Sequence, residues 1–495
     1  MKTIYKIIIY CLVIFTTISC DNTLDVNTNP NYPSEASVEM LIPSGIAWTS
    51  SRLGSDLELL GSLWAQHYAQ NNASNQYTNY DSYNILNTNL SGVWSAAYSG
   101  ALPDLYLAKE KAEKDSDFAS WIIAQVLIAF NYHILADFYE TIPLSEALNE
   151  NIAAPKYDEG KEINASIIAM LDEAIAKKGS ASEYSPIENR DFVFKGDVSK
   201  WIEFAKTLKL KILLRDFSAN QTAITALLNE GGFLTTDDAK MNGFMDKENN
   251  SNPLYENDRR KLNTPNNLRA SATMVAFLLE YNDPRISAYY ENAQAEGTDP
   301  YKGLPQGGYT IEQTIIPSAT LSRARLAPED PVYFMSVAES NFLQAESYAR
   351  LGNKTKAKEF YDLAVTKAFD RWGFADQAND FLIGAYLFDD TNVETMLKSI
   401  ITQKWVASVR CQAWDAFFDI NRTGYPKLGT TYPVSATDWT TPNPLYIIGE
   451  LTPSVNSVIS SGEFPRRILI PKNSSDNNPN APAVIPLTKK MWWHK

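Results

Sequence analysis

The chain has 495 residues, 44% hydrophobic and 21% charged, proportions of a folded globular protein that exclude a disordered, collagen-like or polytopic membrane chain. Its 58 Asp and Glu outnumber 44 Lys and Arg, for a formal net charge of −14; such a surface repels a phosphate backbone, so nucleic acid is not an expected partner. Only 22 glycines stand against 26 tyrosines and 11 tryptophans, a balance that favours helices and supplies stacking surfaces.

Residues 1–19 read as an export signal. Lys2 and Lys6 precede an apolar run from Ile7 to Ile18, which at about 12 residues is too short for a spanning helix of roughly 20. Of the three cysteines, Cys11 lies inside this run, Cys411 lies far downstream, and Cys20 follows Ser19 directly. A small residue before Cys at the end of an apolar run resembles a lipobox, so Cys20 is the expected acylation site. Several acyl chains, at about 0.8 kcal/mol per buried methylene, hold a protein durably to a bilayer. Residues 20–33, rich in Asn and Pro, then read as a tether of about 40 Å when extended. The body of the protein is 34–495.

Helical periodicity dominates that body. Residues 121–139 are apolar on nearly every face, which predicts a helix buried between neighbours. Ile163, Ile167, Leu171, Ala174 and Ile175 form one stripe, with Asp172, Glu173, Lys177 and Lys178 toward water; Trp201, Phe204, Ala205, Leu208 and Ile212 repeat the pattern after a turn at Gly196 and Asp197. Ala345, Gly352, Ala357, Tyr361 and Ala364 occupy the small and aromatic positions of a tetratricopeptide hairpin. Weaker pairings of 98–113 with 118–139 and of 163–178 with 200–218 extend this to a short helical solenoid. The expected fold is therefore mainly α, a short tetratricopeptide-like helical solenoid. Long polar segments at 70–91, 242–267, 299–330 and 428–495 break the repeat, loops long enough to point to function.

No catalytic signature accompanies this pattern. His67, His133 and His494 lie outside any zinc motif, and neither a nucleophile elbow nor a phosphate-binding loop is present. His133 and Asp137 share a helix face at i and i+4, but their all-apolar helix makes a core histidine the reading. Asp237-Asp238 and Asp389-Asp390 read as solvated turns rather than a glycosidase pair, and 475–480 lacks the ligand spacing of a calcium loop. No enzyme activity, metal or cofactor is expected. Aromatic loops without a reaction centre suggest binding, with ring faces against sugars and polar side chains on the hydroxyls. The candidate ligand residues are Tyr77, Tyr80, Tyr83, Tyr309, Arg323, Trp372 and Trp439, with core packing the competing reading for Trp372.

The chain resembles the SusD/RagB family of nutrient-binding lipoproteins, and within it the starch-binding, outer-membrane-associating branch. The resemblance rests on DVNTNPNYPSEAS and LIPSG near the start, ADFYETIPLSEAL at 136–148, GDVSKWIEFAKTLKLKILLR at 196–215 and NDPRISAYY at 282–290. VAESNFLQAESYARLG at 337–352, IITQKWVAS and AWDAFFDINRTGYP within 400–426, and FPRRILIP complete it. It implies a tetratricopeptide-like helical half packed against an irregular, loop-rich half, in a cell-surface, lipid-anchored protein of the outer membrane that captures glycan oligomers as the lid of a SusC-like TonB-dependent transporter. A RagB-type peptide ligand is the alternative, and a helical glycoside hydrolase a more distant one. It also implies that Pro143, Glu146, Glu339, Glu346 and Arg422 fix turns and helix contacts.

Overall fold

The computed structural model describes residues 36–262, 267–293, 300–429 and 446–495. The expected signal, Cys20, the tether and Trp439 lie outside them. The helices used below are α1 (Val38–Arg52), α2 (Glu58–Trp64), α3 (Leu102–Lys114), α4 (Phe118–Tyr139), α5 (Gly160–Lys177), α6 (Val198–Leu213), α7 (Phe217–Glu230), α8 (Ala272–Glu280), α9 (Val337–Arg350), α10 (Lys354–Asp370), α11 (Val393–Ala407) and α12 (Ala413–Thr423).

Helix α4 forms the axis of the molecule. Asp117 caps it by accepting the Ser120 N–H at 3.0 Å, and every residue from Ala119 to Tyr139 is buried. It is long and apolar enough to cross a membrane, yet it is covered by protein. A helix with no polar face has to be enclosed, and α1, α3, α5 and α6 enclose it. The expected hairpins are present: α3 with α4, α5 with α6, and α9 with α10. In the last, Ala345, Ala357 and Ala364 are fully buried, so the two backbones approach closely. Ser336 and Asn353 cap the two helices, and Gly352 turns between them at φ +78°, a conformation that a side chain would strain. The architecture is thus mainly helical, as expected.

A buried ionic network runs across this bundle. Lys211 of α6 reaches Glu339 of α9 at 2.9 Å and Asp415 of α12 at 2.6 Å. Lys404 of α11 meets Glu339, Asp415 and Asp419 at 3.1, 2.7 and 2.7 Å. Arg422 joins Asp419 and Glu346, both at 2.7 Å, and Arg350 holds the other side of Glu346 at 2.7 Å. Burial alone would lower the Lys404 ammonium, but Asp415, Asp419 and Glu339 hold it above its ordinary value. Burial and the nearby Asp415 raise Glu339, whereas Lys211 and Lys404 outweigh burial and keep Asp415 well below the usual carboxylate range. Removing one partner from such a network leaves a charge buried without compensation.

Among the described residues the irregular half has three two-stranded ribbons. Strand β1 (Tyr68–Gln70) runs antiparallel to β3 (Leu268–Ala270), with Tyr68 opposite Ala270 and Gln70 opposite Leu268. Strand β2 (Ala239–Met241) pairs antiparallel with β4 (Val332–Met335), with a register shift between Ala239 and Lys240. Strand β5 (Lys427–Leu428) runs parallel to β6 (Glu450–Leu451). The C-terminal segment returns to the helices: Ile468 N–H donates to the Phe138 carbonyl at 3.0 Å, Arg467 pairs with Glu140 at 2.6 Å, and Arg215 lies 4.7 Å over the Trp493 ring.

Helices α2 and α12 cross at backbone contact, since a Cβ on Gly61 would lie 2.3 Å from the Trp414 nitrogen. At that crossing Glu58 accepts the Ala413 N–H at 3.0 Å through one oxygen. Its other oxygen and the Tyr68 hydroxyl are buried without a hydrogen-bond partner, and both residues line a cavity of about 30 Å³. Burial pushes the Glu58 carboxyl up to about 8.

Two outcomes are expected. Lys404→Met should lower the denaturation midpoint by the equivalent of about 3–5 kcal/mol, because three carboxylates lose their shared cation; urea titration measures it. Glu58 binds its proton more tightly when folded, so its contribution is full below an unfolded pKa of about 4.3 and is lost as pH rises through about 8. Glu58→Gln keeps the acceptor and cannot ionise. Its melting temperature relative to the parent should rise between about pH 5 and about pH 8.5, and parallel profiles would show that Glu58 does not titrate in this range.

Candidate functional site

Chain leaving α2 enters β1 and then the loop that carries three of the candidate tyrosines. Gln70 organises this loop: its carbonyl oxygen Oε1 accepts the Tyr77 N–H at 2.7 Å, and its amide donates to the Asn71 and Ser74 carbonyls, both at 3.0 Å. A short helical turn, Thr78–Asp81, follows, pinned where Trp64 Nε1 donates to the Tyr80 carbonyl at 3.0 Å. Tyr77 is buried and Tyr80 half-buried, their rings edge to face at 6.4 Å. Burial, then the neighbouring Asp56, pushes the Tyr80 hydroxyl up to about 12, so both it and the more deeply buried Tyr77 are neutral hydrogen-bonding groups at physiological pH.

A second loop closes against the first. Asn72 donates to the Ile311 and Ile316 carbonyls at 3.0 and 2.8 Å, Gln306 donates to Asp81, and the Tyr309 hydroxyl bonds to Ser82. Tyr309 is half-buried in the turn Gly308–Thr310. A third segment locks both: Val455 and Val458 donate backbone N–H groups to the carbonyls of Gln306 and Ser82 at 3.1 and 3.0 Å, and Asn456 reaches the Gly307 carbonyl at 2.6 Å.

Arginines edge this cluster. Arg323 stands opposite Arg269 across an isolated antiparallel bridge and pairs with Glu291, its Nε at 2.7 Å. Arg269 donates to Ser318 Oγ at 3.0 Å, and Ser318 donates to Asn71 Oδ1 at 2.8 Å, tying the arginines to the tyrosine loop. Arg259 pairs with Asp258 and donates to the Ala324 carbonyl at 2.8 Å. Burial, then Arg323 and Arg259, lowers the Arg269 guanidinium to about 10.

Tyr77, Tyr80, Tyr309 and Arg323 therefore belong to one connected cluster. Tyr83 does not present its ring: it is 1% exposed, edge-on to Trp64 at 6.5 Å and to Phe464 at 5.9 Å. Trp372 lies beyond the end of α10, with Arg410 4.8 Å over its ring and Tyr289 edge-on at 5.8 Å, so packing accounts for it. The sequence pattern did not single out Asn72, Arg259, Arg269 or Gln306, whose positions depend on long-range contacts; the Asn-rich run around Tyr77 was the only local signal. His133 is fully buried, with Nε2 3.6 Å from Asp137, which Arg215 engages. Among the described residues no group of His, Cys, Asp and Glu is arranged to hold a metal ion. The cluster offers partly exposed rings, amides and guanidinium groups, an inventory suited to stacking and hydrogen bonding.

A family model described as SusD-like, starch-binding and associating with the outer membrane, matches residues 30–445. A search of curated proteins finds no match. Similar solved structures include a SusD homolog from Bacteroides uniformis, with TM-score 0.73, 23% identity and coverage of 92% of this chain and 99% of that one. Another is a SusD homolog from Bacteroides thetaiotaomicron, with TM-score 0.72, 19% identity and 93% and 99% coverage. A chitin-binding SusD homolog from Flavobacterium johnsoniae aligns with TM-score 0.72, 21% identity and 91% and 98% coverage. At these identities the structures establish the shared fold.

Proposed function

The chain belongs to the SusD-like family of starch-binding, outer-membrane-associating proteins, and from that premise we propose that it captures glycan oligomers at the cell surface and delivers them, as a lid, to a SusC-like TonB-dependent transporter. The observation that carries the glycan reading is that half-buried Tyr80 and Tyr309, with Asn72, lie on interlocked loops to which Arg269 and its neighbour Arg323 are tied through Ser318. Tyrosine rings meet the apolar faces of sugars, while amides and guanidinium groups address the hydroxyls at about 0.5–1.5 kcal/mol per bond. A few such contacts give roughly −4 to −8 kcal/mol, millimolar to micromolar affinity that permits hand-over. The chitin-binding relative supports a sugar ligand. Acylation at Cys20, followed by the tether over 20–33, would hold the protein to the outer membrane.

A peptide ligand is the second reading. It is favoured by the grouping of Arg259, Arg269 and Arg323, since guanidinium groups also bind carboxylates.

Titration calorimetry with maltoheptaose, chitohexaose and a mixed oligopeptide pool separates the two. Tyr80→Ala and Tyr309→Ala should each weaken sugar binding about tenfold, about 1.4 kcal/mol, with little change in melting temperature. Unchanged affinity would remove these rings from the site, and heat evolved with peptides alone would favour the second reading. Cys20→Ala should abolish labelled-palmitate incorporation and release the protein from membranes. Co-purification with an outer-membrane barrel tests the lid, and a solitary monomer in gentle detergent would count against it.

A further inference from the structure

Among the described residues Trp48, on α1, is the one exposed tryptophan, at 45%. A Cβ built on Gly100 would lie 2.6, 2.8 and 3.0 Å from Cδ2, Cγ and Cε2 of its indole. Within the ring plane Cδ2 is hemmed in by its bonded neighbours, so an atom that close to all three approaches from above the ring. The indole therefore lies face down on Gly100, in the π-helical turn Ala97–Ala101 that leads into α3. Its other face is open to water, since close to half exposure is what one covered face and one open face give.

Polar groups stand beside this ring. Ser44 donates to Asp104 Oδ2 at 2.6 Å. Ser44 precedes Trp48 by four residues and Asp104 follows Gly100 by four, so the pair sits one turn along the seam between the two helices, about 5.4 Å from the indole. The bond holds one carboxylate oxygen and leaves Oδ1 for another donor. Ser51 and Ser99, both exposed, lie at the other end of the ring. The next exposed apolar side chains, Met40 and Leu107, come only beyond the Ser44–Asp104 pair, so the seam is not the continuous apolar patch that a protein partner would cover.

We infer that Trp48 on Gly100, with Asp104, forms a second glycan-binding platform, a stacking subsite for a neutral pyranose of an oligosaccharide. The apolar face of the sugar rests on the open indole face, and a hydroxyl donates to Asp104. The Asp104 carboxylate and the net charge of −14 disfavour a uronate or sulfated unit. Trp48 and Trp64, which anchors Tyr80, lie on one helical run from Val38 to Trp64, about 24 Å apart at 1.5 Å per residue. Two stretches of one long chain can therefore engage both sites, which raises retention with no new contact at either. The platform shares its sugar class with the proposed function and none of its residues, so either can fail alone.

Nitrogen-15 labelling of the indoles in the full chain gives each tryptophan a resonance, and Trp48→Phe identifies that of Trp48 by its loss. Chitohexaose or maltoheptaose should shift the Trp48 resonance, and should still do so when Tyr80→Ala and Tyr309→Ala are combined. Oligogalacturonate should leave it in place. Trp48→Ala should lower retention on insoluble chitin or starch about threefold to tenfold, with melting temperature little changed, and Trp48→Phe, which keeps a smaller ring face, should lose less. Gly100→Ala should displace the ring and abolish the shift; should that variant not fold, Asp104→Asn on the surface should weaken the titration about twofold. Trp64, assigned in the same way, reports on the tyrosine loops. A Trp48 resonance unmoved by both neutral sugars at about 10 mM would overturn the platform, and a Trp64 shift in that case would leave the glycan reading standing. A Trp48 shift with Trp64 silent supports the platform and counts against the tyrosine loops. A Trp48 shift that follows protein concentration instead of sugar marks a contact between copies and would overturn the platform.

Discussion

The buried charges shared by α6, α9, α11 and α12 are the constraint on which the rest depends. Lys211 and Lys404 are buried between Glu339 and Asp415, so the loss of either lysine leaves both carboxylates on a single cation. Hydrophobic packing would tolerate rotation or sliding of these helices; paired charges at 2.6 to 3.1 Å do not. The network therefore fixes the register of the α9–α10 hairpin against α12. Because α12 meets α2 at backbone contact, it also fixes where α2 ends and β1 begins.

That corner, Ala65 to Gln70, is where the irregular half is hung on the helices. Trp405 Nε1 donates to the Ala65 carbonyl at 2.7 Å, and Tyr290 donates to the His67 carbonyl at 2.7 Å. Gln66 Oε1 accepts from Thr273 at 2.7 Å and from the Thr452 N–H at 2.9 Å. Segments distant in sequence thus converge on one turn through single polar side chains. His67 belongs to the same turn; burial lowers it to about 3, so it stays neutral and acts as a fixed hydrogen-bonding group to Trp405. The loops need no extended sheet because buried polar groups demand partners, and satisfying them specifies the loop path.

The helical half was legible because its information is local. A stripe at period 3.6, a cap and a small residue at a close crossing are all read within one segment, and α4, α5, α6 and the α9–α10 hairpin follow that logic. The site was legible only in part. Tyr77, Tyr80 and Tyr309 drew notice as aromatic residues in polar loops, but exposure cannot be read from residue type. Tyr83, three residues after Tyr80, turns inward at φ +62° between Trp64 and Phe464. Arg269 gave no signal, since a three-residue strand carries too little pattern to reveal its partner, and Arg259 gave none because its bond to the Ala324 carbonyl spans 65 positions. The His133 and Asp137 spacing was visible, but Arg215, 78 positions from Asp137, was not.

The unequal division of restraints between the two halves bears on how a nutrient-binding protein works. The helices are held by many apolar contacts and by charges that cannot separate, so they open only with global unfolding. The loops are held by ribbons of two to four residues and a handful of side-chain bonds, so they can open while the scaffold stays intact. The proposed capture and hand-over of a ligand would need that difference. On that proposal the side chains binding loop to loop, Asp81 with Gln306 and Asn72 with Ile311 and Ile316, are the places where affinity would be set without cost to the fold. Strengthening the helical network would leave release unchanged, whereas strengthening one loop contact would slow it.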